Sequence, residues 1–279
     1  MNVVLRFFFW ITFLCSVGSK ATDSPDFEPL ENVYVQLEIP GPDSTNISII
    51  RTFEKVLNLI KFKSYSLLSW KSYSRTEEVS VDKYKREFHF GRWIKPTENC
   101  YNTRALVLMR DSQKKVSFMP DDKCSVQKGK WIDDFTGNTF TDRTEIQIDH
   151  TVPLKNAYIS GAYKWSYRAR CLYSNYLGSN YHLKSVNATE NMRKGDRTPE
   201  NYMPPNTDIS CNYIKEWLAI KFLWGLKMTV SEANSIRKII KNHQCNLASF
   251  KISYDEIKKQ ARYANNNLQL CELSPESSE

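Results

Sequence analysis

Apolar positions along this chain follow two periods, and together they predict a mixed architecture. Ser48 to Lys63 places Ile49, Ile50, Phe53, Val56, Leu57 and Ile60 at offsets that suit one helical face. Cys211 to Leu226 does the same with Tyr213, Ile214, Trp217, Leu218 and Phe222. A further helix is expected to start with Ser231 as its N-cap, and a weaker one to run from Tyr254 to Leu270. Asn156 to Arg170 reads as helical around its Gly, and Arg104 to Arg110 suits a short helix or a strand. Thr144 to Asp149 (TEIQID) alternates polar and apolar, as a half-buried strand does, and His150 follows at once. Lys128 to Thr141 predicts a strand and hairpin turn at Gly137. His182 to Val186 is a short strand, and Asn187 to Lys194 a short helix closed by Gly195. Pro199, Pro204 and Pro205 mark a loop. No internal repeat is visible. The expectation is one α+β domain over residues 48–245, preceded by a polar tail at 22–47 and followed by a helical extension and tail at 246–279.

The N-terminus changes the picture. Met1 to Arg6 is short and positively charged, Phe7 to Val17 is an uncharged apolar run, and small residues follow at Gly18, Ser19 and Ala21. That is the three-part pattern of a secretory signal peptide, taken here as residues 1–21. The run is about half the roughly 20 residues that a spanning helix needs, so no membrane association is expected once the signal is removed. Cys15 would leave with the signal, and six cysteines remain. An even set in a secreted chain suggests three disulfides. Cys100 and Cys124 flank one segment, as do Cys211 and Cys245, and local pairing leaves Cys171 to Cys271. Of two glycosylation sequons, at Asn46 and Asn187, Asn46 is the better candidate. The net charge of +8 and a pI near 9.0 allow a polyanionic partner.

The chemical inventory is small. The chain has four histidines, His89, His150, His182 and His243. HExxH, GxSxG and GxxxxGK[ST] are absent, which counts against a zincin, an α/β-hydrolase and a P-loop NTPase. Asp149-His150 ends a predicted strand, a second strand follows, and the next helix bears Asn191. Strand, strand and helix would cradle a hard cation through oxygen ligands, beside an imidazole able to take a proton from water.

The blocks IDHTVPLKNAYISGA and NMRKGDRTPENYMPP stand in the order YKREFHFGRWI, Cys100-x-x-Thr103-Arg104, Cys124, GKWIDDFTG, then these two, then CNYIKEWLAIKFLWGL. This string, from about Tyr84 to Glu232, resembles the secreted HNH (His-Me finger) endonucleases related to the C-terminal domain of the GmrSD restriction enzyme. The resemblance implies a ββα-metal core and a metal-dependent hydrolase of DNA, or of RNA, leaving 5′-phosphate and 3′-hydroxyl ends. It gives His150 the role of general base, and Asp149 and Asn191 that of ligands to magnesium or manganese. The middle position of the motif, usually Asn, is here His182, which can still hydrogen-bond a backbone carbonyl and hold His150 in place. Arg104, Arg170, Arg193, Lys194 and Arg197 are candidate phosphate contacts, since guanidinium forks suit phosphate oxygens. Arg104 and Arg170 have an alternative as ion-pair partners of Asp133 or Asp142, and the other three as a solvated helix end. With no separate DNA-reading module, little sequence preference is expected. The competing function is a secreted nucleic-acid or host-factor binder on the same fold without catalysis. Trp93, Trp131, Trp165, Trp217 and Trp224 read as core, His89 as packed or exposed without a catalytic role, and His243 as surface.

Overall fold

The computed structural model describes residues 64–69 and 84–271. The expected signal peptide, the polar tail with Asn46, and the amphipathic stretch around Ile49 to Ile60 lie outside the described residues. What is described is a mixed α+β domain with three disulfides.

Three small antiparallel sheets alternate with helices. β1 (Ser64–Ser66) pairs with β7 (Lys251–Ser253). β2 (Ser117–Phe118), β3 (Val126–Ile132) and β4 (Thr139–Asp142) form a meander. β5 (Ile146–His150) and β6 (Leu183–Asn187) form a separate two-stranded ribbon, in which Asp149 faces Lys184 and His150 faces Leu183. The helices are α1 (Arg86–Phe90), α2 (Thr103–Asp111), α3 (Leu154–Ile159), α4 (Tyr167–Ser174), α5 (Ala188–Lys194), α6 (Ser210–Leu223), α7 (Val230–Asn242) and α8 (Tyr254–Asn267).

Local chemistry sets most of these boundaries. The stretch expected as one helix around its Gly is two, because Gly161 has φ +138°, a conformation L-residues rarely adopt. A 3₁₀ turn (Ala162–Lys164) follows, and Ser166 then caps α4 through Ala169 N. Asn187 Oδ1 caps α5 by accepting from Glu190 N at 3.1 Å, and Gly195 at φ +53° stops it about two turns later. The expected N-cap Ser231 is displaced by Thr229, whose hydroxyl accepts from Glu232 N. Thr229-x-x-Glu232 has capping-box spacing, which Ser231 lacks.

Two apolar clusters hold the domain. The larger surrounds α6, whose Ile214, Trp217, Leu218 and Ile220 are all buried. Residues expected as an extension after Cys245 join it: Phe250, Ile252, Ile257 and Ala264 belong to the same cluster. The smaller packs Ile146, Ile148 and Leu183 against Ala105, Val107 and Leu108 of α2, with Val126 and Trp131 of β3. Ile146 and Ile148 point toward α2, and His150 on the same strand face toward Trp93 and the end of α4, while Gln147 and Asp149 point toward α5, so the strand expected to be half-buried is largely enclosed.

The three disulfides are Cys100–Cys124, Cys171–Cys271 and Cys211–Cys245, the pairs expected from chain order. The second links α4 to the end of the described chain across 100 residues.

Candidate functional site

α3 and α4 intervene between the two strands of the ribbon, while β6 passes directly into α5, since Asn187 both ends β6 and caps α5. This unit gathers Asp149, His150 and Asn191. Adjacent strand residues project to opposite faces, and Asp149 and His150 do so.

His150 is buried, and its Nε2–H donates to Ser174 O at 2.9 Å. A carbonyl only accepts, so this bond fixes the tautomer and leaves the Nδ1 lone pair available. Burial pushes the pKa of the ring well below the ordinary histidine range, and the nearby cations and His182 add to the effect. Trp93 covers the ring face to face, with centroids 5.5 Å apart and planes within 6°. Arg86 lies over the same indole at 5.8 Å.

His182 lies one layer deeper. Its Nε2–H donates to Tyr173 O at 2.8 Å, and Tyr173, Tyr176 and Trp224 crowd its ring. The two histidines thus hang from consecutive carbonyls at the C-terminal end of α4, 173 and 174. The main-chain oxygen of His182 also accepts from Thr151 N–H at 3.2 Å, one residue past His150. Its Nδ1 is buried without a hydrogen-bond partner among the described residues, and burial lowers its pKa to about 3.

On the opposite face, Asp149 Oδ1 accepts from Lys194 Nζ at 2.7 Å. Lys194 is fully buried, and the same ammonium donates to His150 O at 2.8 Å. Asp149 Oδ2 is buried and has no hydrogen-bond partner among the described residues. Asn191, three residues before Lys194 and on the same helical face, donates from Nδ2 to Gln147 Oε1 at 2.7 Å. Gln147 shares its strand face with Asp149. Among the described residues no group of three or more His, Cys, Asp or Glu converges as a metal cluster. The oxygen donors on this face are one carboxylate and two amides, a set suited only to a hard cation that keeps several waters or phosphate oxygens.

A cleft of about 520 Å³ opens along the ribbon. Five stretches of chain line it: Arg86 of α1 and nearby Trp93, Arg104 of α2, Arg143 and Thr144 of the β4–β5 turn, Gln147 with Ile146 and Ile148 of β5, and Asn191 of α5. None of the three arginines forms an ion pair with a carboxylate among the described residues. Burial, and then the charge of Arg143, lower the pKa of Arg104, whose guanidinium donates to Ile146 O. The charges of Arg104 and Arg143 oppose each other, and although Arg143 also feels the Asp122 and Asp142 carboxylates, the excess of guanidiniums at the cleft favours an anion.

The expected phosphate contacts separate. Arg104 lines the cleft. Arg193 and Arg197 are exposed beyond it on and after α5, where Arg193 pairs with Glu190 at 3.0 Å and Arg197 donates to Arg193 O. Lys194 is no phosphate contact, because its ammonium is enclosed between Asp149 and His150 O. Arg170 is a brace: it donates to His89 O at 2.8 Å and to Trp165 O, joining α4 to the end of α1. The expected alternative partner Asp133 instead receives Phe135 N, Thr136 and Asn187 N, and Asp142 receives Thr144. Arg86 and Arg143 were not singled out by sequence, and Trp93 was expected as core rather than as part of a site. Arg86 and Trp93 belong to the aromatic, basic stretch YKREFHFGRWI, which hinted at them. Arg143 sits in a polar turn with nothing to distinguish it. Trp93, expected as core, is half-buried at the cleft wall, while Trp131 and Trp217 are core.

No protein-family model and no solved structure matches this chain. An uncharacterized secreted protein of Arthroderma benhamiae is 35% identical over 159 residues, which span 57% of this chain and 75% of that relative. No helix among the described residues is long and apolar enough to cross a membrane. With the three disulfides formed, and with that likeness extending over three quarters of its relative, the chain belongs to the family of this uncharacterized secreted protein and is itself secreted.

Proposed function

We propose that the protein is a secreted, metal-dependent endonuclease of the HNH (His-Me finger) type, hydrolysing phosphodiester bonds of DNA or RNA with little sequence preference. The observation that carries this reading is the cleft with three arginines that form no ion pair among the described residues, along the strand bearing Asp149-His150 and the helix bearing Asn191. Arg86, Arg104 and Arg143 would bind the phosphates either side of the scissile bond. His150, its Nε2–H held by Ser174 O, would accept a proton from the attacking water at Nδ1. Trp93 keeps the imidazole in plane, and His182 keeps the strand end beneath it. Asp149, through its unpartnered Oδ2, and Asn191 would hold magnesium or manganese. Such a cation, when bound, offsets the charge that builds on the phosphate.

The test is plasmid nicking by the oxidised protein with magnesium or manganese, with a chelator and His150→Ala as controls. Cutting lost in both controls is the expected result. DNA shifted in a gel but uncut under every metal would favour a binding protein instead.

A further inference from the structure

Lys194 has no exposed surface, and its two partners are Asp149 Oδ1 and the main-chain oxygen of His150. An ammonium is costly to bury unless its donors are taken. A pair serving stability alone would satisfy both carboxylate oxygens, because a buried acceptor without a donor is itself destabilising. Here only Oδ1 is engaged, and Oδ2 is buried without a partner among the described residues. Lys194 also joins the two faces of the ribbon: one of its bonds goes to the side chain of Asp149, the other to the backbone of the residue whose side chain points the opposite way. We infer that Lys194 is a positioning residue that locks the Asp149 carboxylate and the end of β5, so that Oδ2 is presented to a divalent cation while His150 stays in register. The inference rests on the endonuclease reading and names a residue through which that site is held. Lys194 touches neither substrate nor cation.

The experiment compares wild type, Lys194→Met, Lys194→Gln and Asp149→Asn as full, oxidised proteins. Three quantities are read on the folded fraction: kcat and KM for duplex cleavage, Mn²⁺ affinity from the free-ion electron paramagnetic resonance signal, and Tm. Loss of such an outer partner typically lowers metal affinity or activity about 10–100-fold. Lys194→Met is expected to lose that much in kcat and in Mn²⁺ affinity, with KM little changed because the arginines remain. Lys194→Gln, which keeps a donor for Oδ1, recovers part of both. Asp149→Asn loses Mn²⁺ binding. Should Lys194→Met fail to fold, Lys194→Gln alone decides: wild-type kcat and Mn²⁺ affinity in that variant overturn the inference. A fall in Tm with unchanged kcat and Mn²⁺ affinity makes Lys194 structural and overturns it too. A wild type that neither cleaves nor binds Mn²⁺ overturns the endonuclease reading and this inference with it.

Discussion

At the scale of the residue, the informative groups are those whose polar atoms are only half satisfied. His182 is one. Its ring is buried neutral, with one nitrogen bonded to Tyr173 O and the other unpartnered. Protonation needs a place for a second N–H, and the aromatic wall offers none. Between pH 6.5 and about 3 the unfolded chain binds the proton that the folded ring refuses. The unfolded state then carries more protons, so stability rises with pH over that interval. The contribution is complete above about pH 6.5 and is lost as pH falls from there toward 3. His182→Asn, which keeps a donor, is expected to flatten this dependence, as Tm measured from pH 4 to pH 7 would reveal. His182→Ala removes donor and ring together and leaves the Tyr173 carbonyl unpaired, a loss of about 2–4 kcal/mol in urea unfolding.

At the scale of the element, the strand–turn–helix from β6 to α5 hinges on Asn187. It ends the strand, caps the helix through Glu190 N, and donates its own N–H to Asp133 Oδ1 at 3.0 Å. Asn187→Ala removes only the cap, a loss of about 1 kcal/mol. Because α5 carries both Asn191 and Lys194, cleavage should decline with stability, and urea unfolding beside a rate measurement would show whether the two move together. Much of this element was legible in the chain. Short polar caps and a closing Gly are local signals, so β5, β6 and α5 fall within a residue or two of where the pattern places them. The break at Gly161 was not legible, because a Gly inside an apolar stretch reads equally as a tolerated helix residue. The fate of Lys194 was hidden for a different reason. Arg193, Lys194 and Arg197 look alike in sequence, and only the third dimension decides that one of them enters the interior while the others stay in water. Arg143 joins Arg86 and Arg104 across more than fifty residues of chain, a convergence that no local pattern announces.

At the scale of the whole molecule, charge and cross-links set the behaviour. A cleft ringed by guanidiniums predicts strong salt dependence of nucleic-acid binding. Arg143→Ala should weaken binding to all sequences alike and reduce the slope of log K against log salt by about 0.9 for a duplex; binding isotherms at several salt concentrations check it. Among the cross-links, Cys171–Cys271 closes the longest loop, 100 residues against 24 and 34. Loop-closure entropy alone assigns such a bridge about 4–5 kcal/mol, more than either shorter one. Replacing this pair by Ser should therefore lower the urea midpoint the most of the three.

That bridge also bears on timing. Cys171 lies on α4 two and three residues before the carbonyls that orient His182 and His150. Until it closes, the helix end that orders the imidazole lacks its tether to residue 271. On the proposed endonuclease reading, a freshly made chain in a reducing interior would then be a poor nuclease, and would come to full strength only on the oxidising route outward. The cell that makes such an enzyme would be shielded from it by thiol chemistry, with no inhibitor required.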